Sequence, residues 1–245
     1  MSKNTVLILG AKSDIAISTA HCFAKAGYDL QLAARKIENL DSDKSNLELK
    51  YKIGVTLHEF DVLDITSHIH FANSLPQLPN IIICAVGYMG EQIKNEQDVE
   101  IASKVMRSNF EGPASIFAIF ANLFEQRGSG TLVGISSVAG ERGRAKNYIY
   151  GSSKAGFTAF LSGLRNRLSM KGVHVITVLP GFVATKMNAN MKLPNKITSQ
   201  PDDVGNAIFK AVKKRTNVIY VGSIWRIIMM IIRNIPEQIF KRMKL

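Results

Sequence analysis

Apolar residues follow two patterns along the chain, and the two patterns alternate. Short runs rich in Val, Ile and Leu have few polar residues among them, which is typical of strands in a sheet that is covered on both faces. These runs predict strands at residues 5–9, 29–34, 55–60, 81–86, 130–136, 173–179 and 218–220. Between most of them the apolar residues recur at helical spacing, which predicts helices at residues 13–26, 98–126, 150–170 and 202–213.

The alternation of strands and helices predicts a single α/β domain built on a doubly wound parallel sheet of about seven strands. No internal repeat, low-complexity tract or linker-like change of composition divides residues 1–221. The charged segment at residues 36–52 fits neither pattern, and we expect a short helix or a loop on the surface. Residues 222–245 form a C-terminal tail of different character.

The tail is basic and amphipathic. An apolar run at residues 227–232 lies between Arg226 and Arg233 and is far too short to span a membrane. Two short amphipathic helices, with Trp225 near one edge, would suit the interface between a membrane and water. Packing as a dimer interface or as a lid over a ligand cleft is the alternative. We favour membrane contact because unpaired basic residues are unfavourable in a buried interface.

The composition supports a large folded core and a basic surface. Of the 245 residues, 46% are hydrophobic and 20% are charged, which excludes wholesale disorder. The 31 basic residues exceed the 19 acidic ones and give a formal net charge of +12, so polyanions should be attracted. Phosphate cofactors and anionic lipids both qualify. We do not expect nucleic acid as a partner, because the basic residues are scattered and the sequence has no aromatic-interleaved basic patch or groove-reading helix.

The cysteines and the first residues of the chain bear on the compartment. Cys22 and Cys84 cannot form a disulfide framework and have no metal-ligand spacing, which fits a reducing environment. Met1 leads within a few residues into the first predicted strand, with no secretory signal core before it. We therefore expect a cytoplasmic protein, with peripheral contact to the inner face of the membrane through the tail.

The turn between the first predicted strand and the first predicted helix is where ligands bind in doubly wound sheets. Gly10 would let the backbone approach a pyrophosphate at the amino end of the helix. Asp14 stands where a glycine-rich loop has a further glycine, and Ser13 is a good N-cap, so a well-capped helix without a ligand is the alternative. The residues of this turn that we assign to a dinucleotide site are Gly10, Lys12, Ser13, Asp14 and Ile15.

Arg35, at the end of the second predicted strand, indicates which dinucleotide would bind. An acidic residue at this position would hold the ribose hydroxyls of NAD, whereas an arginine suits a 2′-phosphate. The expected cofactor is therefore NADP, bound as NADPH, in preference to NAD; an ordinary basic residue closing a strand is the alternative. Asp61 and Val62 follow the third predicted strand and are assigned to the adenine edge, although Asp is also a common turn residue there.

The residues that carry chemistry lie further along the chain. Tyr150 and Lys154 are one helical turn apart on one face, and Ser137 lies thirteen residues earlier where a strand ends. A carbonyl reduction needs a proton donor at the oxygen, and a lysine ammonium beside a tyrosine is expected to lower the pKa of the phenol. Ser137 would hold the substrate oxygen beside Tyr150. A chance surface pair is the alternative interpretation of Tyr-x-x-x-Lys alone.

With these residues the sequence resembles the short-chain dehydrogenase/reductase family over nearly the whole chain. The resemblance implies a Rossmann-like fold, a homo-oligomer, and catalytic roles for Ser137, Tyr150 and Lys154. It also makes Asn109 the family's helix asparagine, which supports a proton-relay water near the lysine. The cofactor contacts that it adds are at Ala85, Gly87, Tyr150, Lys154, Pro180, Gly181, Val183 and Thr185. Cys84 departs from the family's Asn-Asn-Ala-Gly segment.

Within this family, three segments are similar to reductases of decaprenylphosphoryl-2-keto-ribose. They are the string at residues 136–144, the Lys-Ser-Asp-Ile form of the phosphate loop, and the tail at residues 225–241. The similarity implies NAD(P)H-dependent reduction of a keto-sugar, either a small molecule or one linked to a polyprenyl phosphate. Reduction of a 3-oxoacyl or other lipid ketone, and a non-catalytic binding or regulatory protein on the same fold, are the alternatives.

Two further features complete the predicted site. The segment between Thr185 and Pro201 is the expected lid over the substrate, in which Lys186, Lys192 and Lys196 would meet a substrate phosphate. A solvated basic loop explains these lysines nearly as well.

His68 and His70 have no third ligand near them in the sequence, so we interpret the pair as a helix surface feature and expect no metal site.

Overall fold

The computed structural model describes residues 4–189 and 193–243, which fold around a seven-stranded parallel sheet. The order of the strands across this sheet is β3-β2-β1-β4-β5-β6-β9, and a separate pair is formed by β7 and β8. Their bounds are β1 Thr5–Leu9, β2 Asp29–Ala34, β3 Val55–Glu59, β4 Ile81–Cys84, β5 Gly130–Ile135, β6 Val173–Pro180, β7 Phe182–Val183, β8 Thr198–Ser199 and β9 Val218–Val221.

Helices cover both faces of the sheet. Their bounds are α1 Asp14–Lys25, α2 Asp41–Tyr51, α3 His68–Ser74, α4 Gln92–Gln97, α5 Val99–Met106, α6 Gly112–Arg127, α7 Tyr148–Leu168, α8 Pro201–Lys214, α9 Ile224–Asn234 and α10 Glu237–Phe240. The predicted strands and the fold class are confirmed, with ends that differ by one or two residues. The order of the strands along the chain reverses between β1 and β4, and the carboxyl ends of these two strands therefore border a crevice.

The buried residues of the central strands alternate between two cores. In β1, Val6 and Ile8 belong to the core that is covered by α1 and α8. Leu7 and Leu9 belong to the opposite core, which contains the phenylalanines of α6 and α7. Because both faces of β1 are buried, every position in the strand is apolar or small, which explains why the sequence shows a continuous apolar run there.

The predicted helix at residues 98–126 is interrupted. Asp98 caps α5 by accepting hydrogen bonds from the backbone N–H groups of Glu100 and Ile101 at 2.8 and 3.2 Å. A π-helical turn at Arg107–Glu111 then separates α5 from α6. The buried positions Val105, Asn109 and Gly112 keep helical spacing through this turn, so the spacing alone does not reveal the break. In the segment at residues 36–52, a short 3₁₀ turn at Ile37–Leu40 precedes α2.

The prediction that His68 lies on a helix surface is wrong. His68 is fully buried, stacks on Phe60 with ring centres 5.2 Å apart, and has its Nδ1 3.1 Å from the Ser115 hydroxyl. Burial lowers the pKa of His68 below its usual value. Only His70 of the pair is exposed. The reason is packing, because the face of α3 that carries His68 also carries Phe71 and lies against α6.

The two short tail helices are confirmed as α9 and α10, and Trp225 lies in the first turn of α9 with its side chain packed inward. Trp225 is buried, packs edge-on against Phe182, and donates a 3.0 Å hydrogen bond from Nε1 to the carbonyl oxygen of Ile197. Together with Met229 it forms a small core with Val138 of the loop after β5. Within the described part of the chain, none of the helices has the length and apolar character needed to cross a bilayer.

Candidate active site

A cavity of about 680 Å³ lies at the carboxyl ends of β1, β2 and β4. Its walls contain eight of the residues that the sequence assigned to a cofactor: Gly10, Lys12, Ser13, Arg35, Asp61, Val62, Ala85 and Gly87. The structure therefore brings together residues from four separate segments of the chain. Their meeting place is the crevice beside the reversal of strand order, where ligands bind in this class of fold.

The turn after β1 has a backbone that a ligand can approach closely. Gly10 has a φ of +77°, and a Cβ atom there would lie 2.8 Å from the backbone nitrogen of Val86. Only glycine fits this position without strain. The backbone N–H groups of Gly10 and Ala11 both donate to the carbonyl oxygen of Ala33, at 2.9 and 3.1 Å. Ser13 caps α1 by accepting from the N–H of Ala16, so the amino end of α1 points into the cavity wall.

Two residues of the same turn lie outside the cavity wall. The carboxylate of Asp14 accepts a 2.7 Å hydrogen bond from the backbone N–H of Lys186, and its other oxygen is 3.6 Å from the Lys186 ammonium. Ile15 packs against the core beneath α1 and α8. Asp14 therefore ties the turn after β1 to the predicted lid, a contact between residues far apart in the chain.

The far end of the cavity is basic. Arg35 is exposed, with its guanidinium 3.9 Å from the Asp61 carboxylate. Lys36 has a φ of +56°, and its backbone N–H donates to Glu59 at 2.9 Å, which holds this left-handed turn in place. Lys12 also lines the cavity. Three basic residues thus contribute to the wall of the cavity in which the sequence predicts a 2′-phosphate.

The predicted reacting residues lie outside the cavity lining, and Lys154 comes close to it at Gly87. Lys154 is buried in α7, and its ammonium donates a 2.9 Å hydrogen bond to the carbonyl oxygen of Ile135. The same ammonium lies 5.8 Å from the centre of the Tyr150 ring. The Ser137 hydroxyl accepts a 3.1 Å hydrogen bond from the N–H of Ala139 and lies close enough to the Tyr150 phenol to lower its pKa. The strand–loop–helix context therefore places the three groups side by side.

A neighbouring serine fixes α7 against the end of β5. The hydroxyl of Ser136 donates to the carbonyl oxygen of Lys154 at 2.9 Å and lies 2.6 Å from the Thr158 hydroxyl. Ser136 is buried, so these bonds satisfy a polar group that has no access to water. Because Ser137 is the next residue, this anchor also sets the distance between Ser137 and the helix that carries Tyr150.

Burial dominates the protonation of this group. It raises the pKa of Tyr150 to about 12, an effect that the Ser137 hydroxyl only partly offsets. It also lowers the pKa of Lys154 to about 8. In a site of low polarity the neutral form of each group is favoured, which explains the direction of both shifts. The lowering of the phenol pKa by the neighbouring lysine stays a prediction.

Asn109 lies in the π-helical turn and is completely buried. Its Nδ2 donates to the carbonyl oxygens of Tyr88 and Val105 at 2.6 and 2.8 Å, and its Oδ1 accepts from the N–H of Tyr88 at 3.2 Å. A Cβ atom at Gly87 would lie 3.5 Å from this Oδ1 and 4.0 Å from the Lys154 ammonium. Gly87 therefore lies close to both the Asn109 side-chain amide and the Lys154 ammonium.

The predicted contacts after β6 occupy different environments. Val183 is buried in the core, and Thr185 lines a second cavity, of about 570 Å³, beneath the predicted lid. Pro180 ends β6, and Gly181 lies so close to Trp225 that a Cβ atom there would overlap the indole ring. Of the lid lysines, Lys186 and Lys196 are exposed, and Lys192 lies outside the described residues.

Sequence reasoning missed three polar residues of the main cavity wall. Tyr88, Lys104 and Ser108 all line it. Lys104 and Ser108 are four residues apart, a spacing that places two helical residues on one face, and Ser108 directly precedes Asn109. That spacing is a signal that was available in the sequence. Tyr88 carries no such signal, since the loop after β4 has no periodic pattern.

Comparisons with known proteins agree with this geometry. A sequence model of the short chain dehydrogenase family matches residues 4–196. An uncharacterized oxidoreductase of Mycobacterium tuberculosis is 32% identical over 241 residues, covering 97% of this chain and 96% of that protein. An NADP-dependent 3-hydroxy acid dehydrogenase of Schizosaccharomyces pombe is 26% identical, covering 90% and 91%. A Sphingobium yanoikuyae short-chain dehydrogenase solved in complex with NADPH is 25% identical with a TM-score of 0.79, covering 96% and 97%.

Proposed function

Because the chain belongs to the short chain dehydrogenase family and is an NAD(P)-dependent oxidoreductase of that type, we propose that it uses NADPH to reduce a ketone. The observation that carries the proposal is the meeting of Ser137, Tyr150 and Lys154 at the edge of a cavity with a glycine turn at its base. A binding protein without catalysis would not need a buried lysine beside a partly buried phenol, since burial of the lysine charge is unfavourable.

The cavity residues fit a dinucleotide phosphate. The close backbone approach at Gly10 and the amino end of α1 would hold the pyrophosphate, as a side chain at Gly10 would fill that space. Arg35, with Lys12 and Lys36, would hold the 2′-phosphate. Asp61 and Val62 would lie against the adenine. The names of the fission yeast relative and of the Sphingobium complex also support NADP over NAD.

The chain's own residues would handle the proton. A bound NADPH would supply the hydride to the carbonyl carbon. Tyr150, whose pKa of about 12 keeps it protonated, would donate its phenol proton to the substrate oxygen. Ser137 would hold that oxygen by a hydrogen bond, and the Lys154 ammonium would stabilise the phenolate as it forms. Asn109 would support a water near Lys154 that returns a proton from solvent.

For the substrate, we infer a keto-sugar carried by a polyprenyl phosphate. The inference rests on the three segments that are similar to reductases of decaprenylphosphoryl-2-keto-ribose. The exposed Lys186 and Lys196 of the lid segment support it, since they could meet a substrate phosphate. A 3-oxo acid or 3-oxoacyl substrate is the second candidate, which the similarity to the fission yeast 3-hydroxy acid dehydrogenase favours. The homo-oligomer also stays a prediction.

The test is oxidation of NADPH, and separately of NADH, followed with a panel of ketones. The panel contains free keto-sugars, a polyprenyl-phosphate keto-sugar and a 3-oxoacyl thioester. Tyr150→Phe is expected to abolish turnover and to leave NADPH binding, measured by fluorescence titration, within about threefold of the original. Tyr148→Phe is the matched control, because Tyr148 lies in the same helix and is exposed, and it should keep full activity.

Each result has a definite reading. Full activity in Tyr150→Phe would contradict the assigned acid. Failure to bind NADPH even at millimolar concentration would favour a non-catalytic binding or regulatory protein. Turnover of the 3-oxoacyl thioester without turnover of any keto-sugar would leave the reductase assignment intact and replace the inferred substrate.

A further inference from the structure

Helix α9 has apolar residues on two sides, of which one side is buried and the other is exposed. Trp225 and Met229 are 3% and 0% exposed and pack against the body of the protein. Ile227 and Ile231, one turn apart, are 57% and 59% exposed. The exposed apolar residues of the tail, which we call the tail face, are Ile224, Ile227, Met230, Ile231, Ile239 and Met243.

Basic side chains border the tail face. Arg226 is exposed beside it on α9, and Lys241 and Arg242 are exposed just beyond α10. The acidic residue within the tail, Glu237, is paired with Arg142 at 2.7 Å. An apolar face with a cationic border is complementary to a bilayer whose headgroups are anionic, because the apolar side chains enter the acyl boundary while the cations meet the phosphates.

We propose that the tail face docks on the surface of an anionic lipid bilayer. A second copy of the chain is a poorer occupant, since a two-fold contact would bring the same cationic borders together. The docked helix would lie in the plane of the surface, with Trp225 held in the protein below it. This surface goes beyond the proposed reaction and does not depend on it.

The body of the protein holds the tail face in a fixed orientation. Arg142, in the loop between β5 and α7, donates hydrogen bonds to three carbonyl oxygens at the end of α9. Glu141 of the same loop accepts from Arg233 and from the Tyr220 hydroxyl. This loop also carries Ser137 at its start, so the tail face is tied to the segment that bears a predicted catalytic residue.

The test is co-flotation of the full-length protein with vesicles. One set contains phosphatidylcholine alone, and the other contains phosphatidylcholine mixed with phosphatidylglycerol. The protein is expected to float with the anionic vesicles, and Ile227→Glu/Ile231→Glu should reduce the bound fraction about tenfold. The matched control, Leu49→Glu/Ile69→Glu, adds the same two charges at exposed apolar residues of α2 and α3 and should float like the original.

A second pair of variants tests the charge. Lys241→Gln/Arg242→Gln should remove the preference for anionic vesicles, whereas Lys210→Gln/Lys214→Gln removes two exposed lysines of α8 and should not. The proposal is overturned if the protein floats with neither vesicle, or if the two double-Glu variants float equally well. It is also overturned if sedimentation velocity shows that Ile227→Glu/Ile231→Glu converts a dimer to a monomer without changing flotation. Loss of reductase activity would not affect these readouts.

Discussion

Replacing Arg142 with alanine is expected to release the tail from the body of the protein. The Nη1 atom of Arg142 lies 3.3, 3.0 and 2.8 Å from the carbonyl oxygens of Ile232, Arg233 and Ile235. Its guanidinium also lies 4.0 Å from the centre of the Phe240 ring. Carbonyls at the end of a helix have no partner within the helix, so Arg142 acts as a cap for α9 that is supplied from another segment.

The size of the effect follows from the hydrogen atoms available. Nη1 carries two hydrogens, so its three contacts amount to about two hydrogen bonds. Bonds from a charged donor contribute roughly 1.5 kcal/mol each when they are partly buried, which gives about 3 kcal/mol. The ion pair with Glu237 adds almost nothing, because the Glu237 side chain is 72% exposed. A change of about 3 kcal/mol corresponds to about 100-fold in the equilibrium between bound and released tail.

Hydrogen–deuterium exchange of peptides that cover residues 224–240 measures this equilibrium directly. Arg142→Ala should increase the exchange rates of the α9 amides by about 100-fold, up to the limit set by free peptide. Arg142→Lys keeps the charge but cannot reach several carbonyls with a planar fork, so it should lie between the two. Equal protection of these peptides in Arg142→Ala and in the original protein would refute the reasoning.

Three further predictions rest on contacts within the site. Burial lowers the pKa of Lys154 to about 8, and its ammonium form stabilises the phenolate. In the direction of reduction, kcat/KM for NADPH should therefore be constant below about pH 8 and fall at higher pH. A flat profile up to about pH 10 would contradict this prediction. Asp14→Ala removes the bonds to Lys186, so trypsin should cleave after Lys186 about tenfold faster, and equal cleavage rates would show that Asp14 does not hold the lid. Gly181→Ala must displace the indole of Trp225, so the fluorescence emission of this single tryptophan should shift to longer wavelength. The control is Gly163→Ala in α7, which has open space around the added methyl group and should leave the emission unchanged.

The sheet could be predicted because its strands are buried on both faces. A strand such as β6 has eight buried residues in succession, and its β-branched residues and the Pro-Gly at its end favour a strand over a buried helix. The same reasoning located the turn after β1 and the helix that carries Tyr150. Ends of elements were less certain because hydrogen bonding and not hydrophobicity decides where a strand stops.

Features that depend on contacts between distant segments could not be predicted. The bond between Asp14 and Lys186 joins residues 172 positions apart, and nothing in the pattern of either segment signals it. Trp225 was expected near one edge of the amphipathic tail helices, and nothing in the sequence signals that its ring packs against Gly181. The interruption of the helix at Arg107–Glu111 gives no signal, because buried positions at helical spacing run from α5 through the turn into α6.

The pKa of Tyr150 bears on the direction of the proposed reaction. Oxidation of an alcohol would begin with a phenolate as the base, and burial makes this form rare when the pKa is about 12. Reduction begins with the phenol as the acid, which is fully populated over the working range of pH. Lys154 changes its charge near pH 8 in the same site, so its ammonium is available at neutral pH to stabilise the phenolate that proton donation leaves behind. Burial therefore keeps the proton on Tyr150 before the substrate binds, and the Lys154 ammonium is needed to stabilise the phenolate because a phenol with a pKa of about 12 is a weak acid.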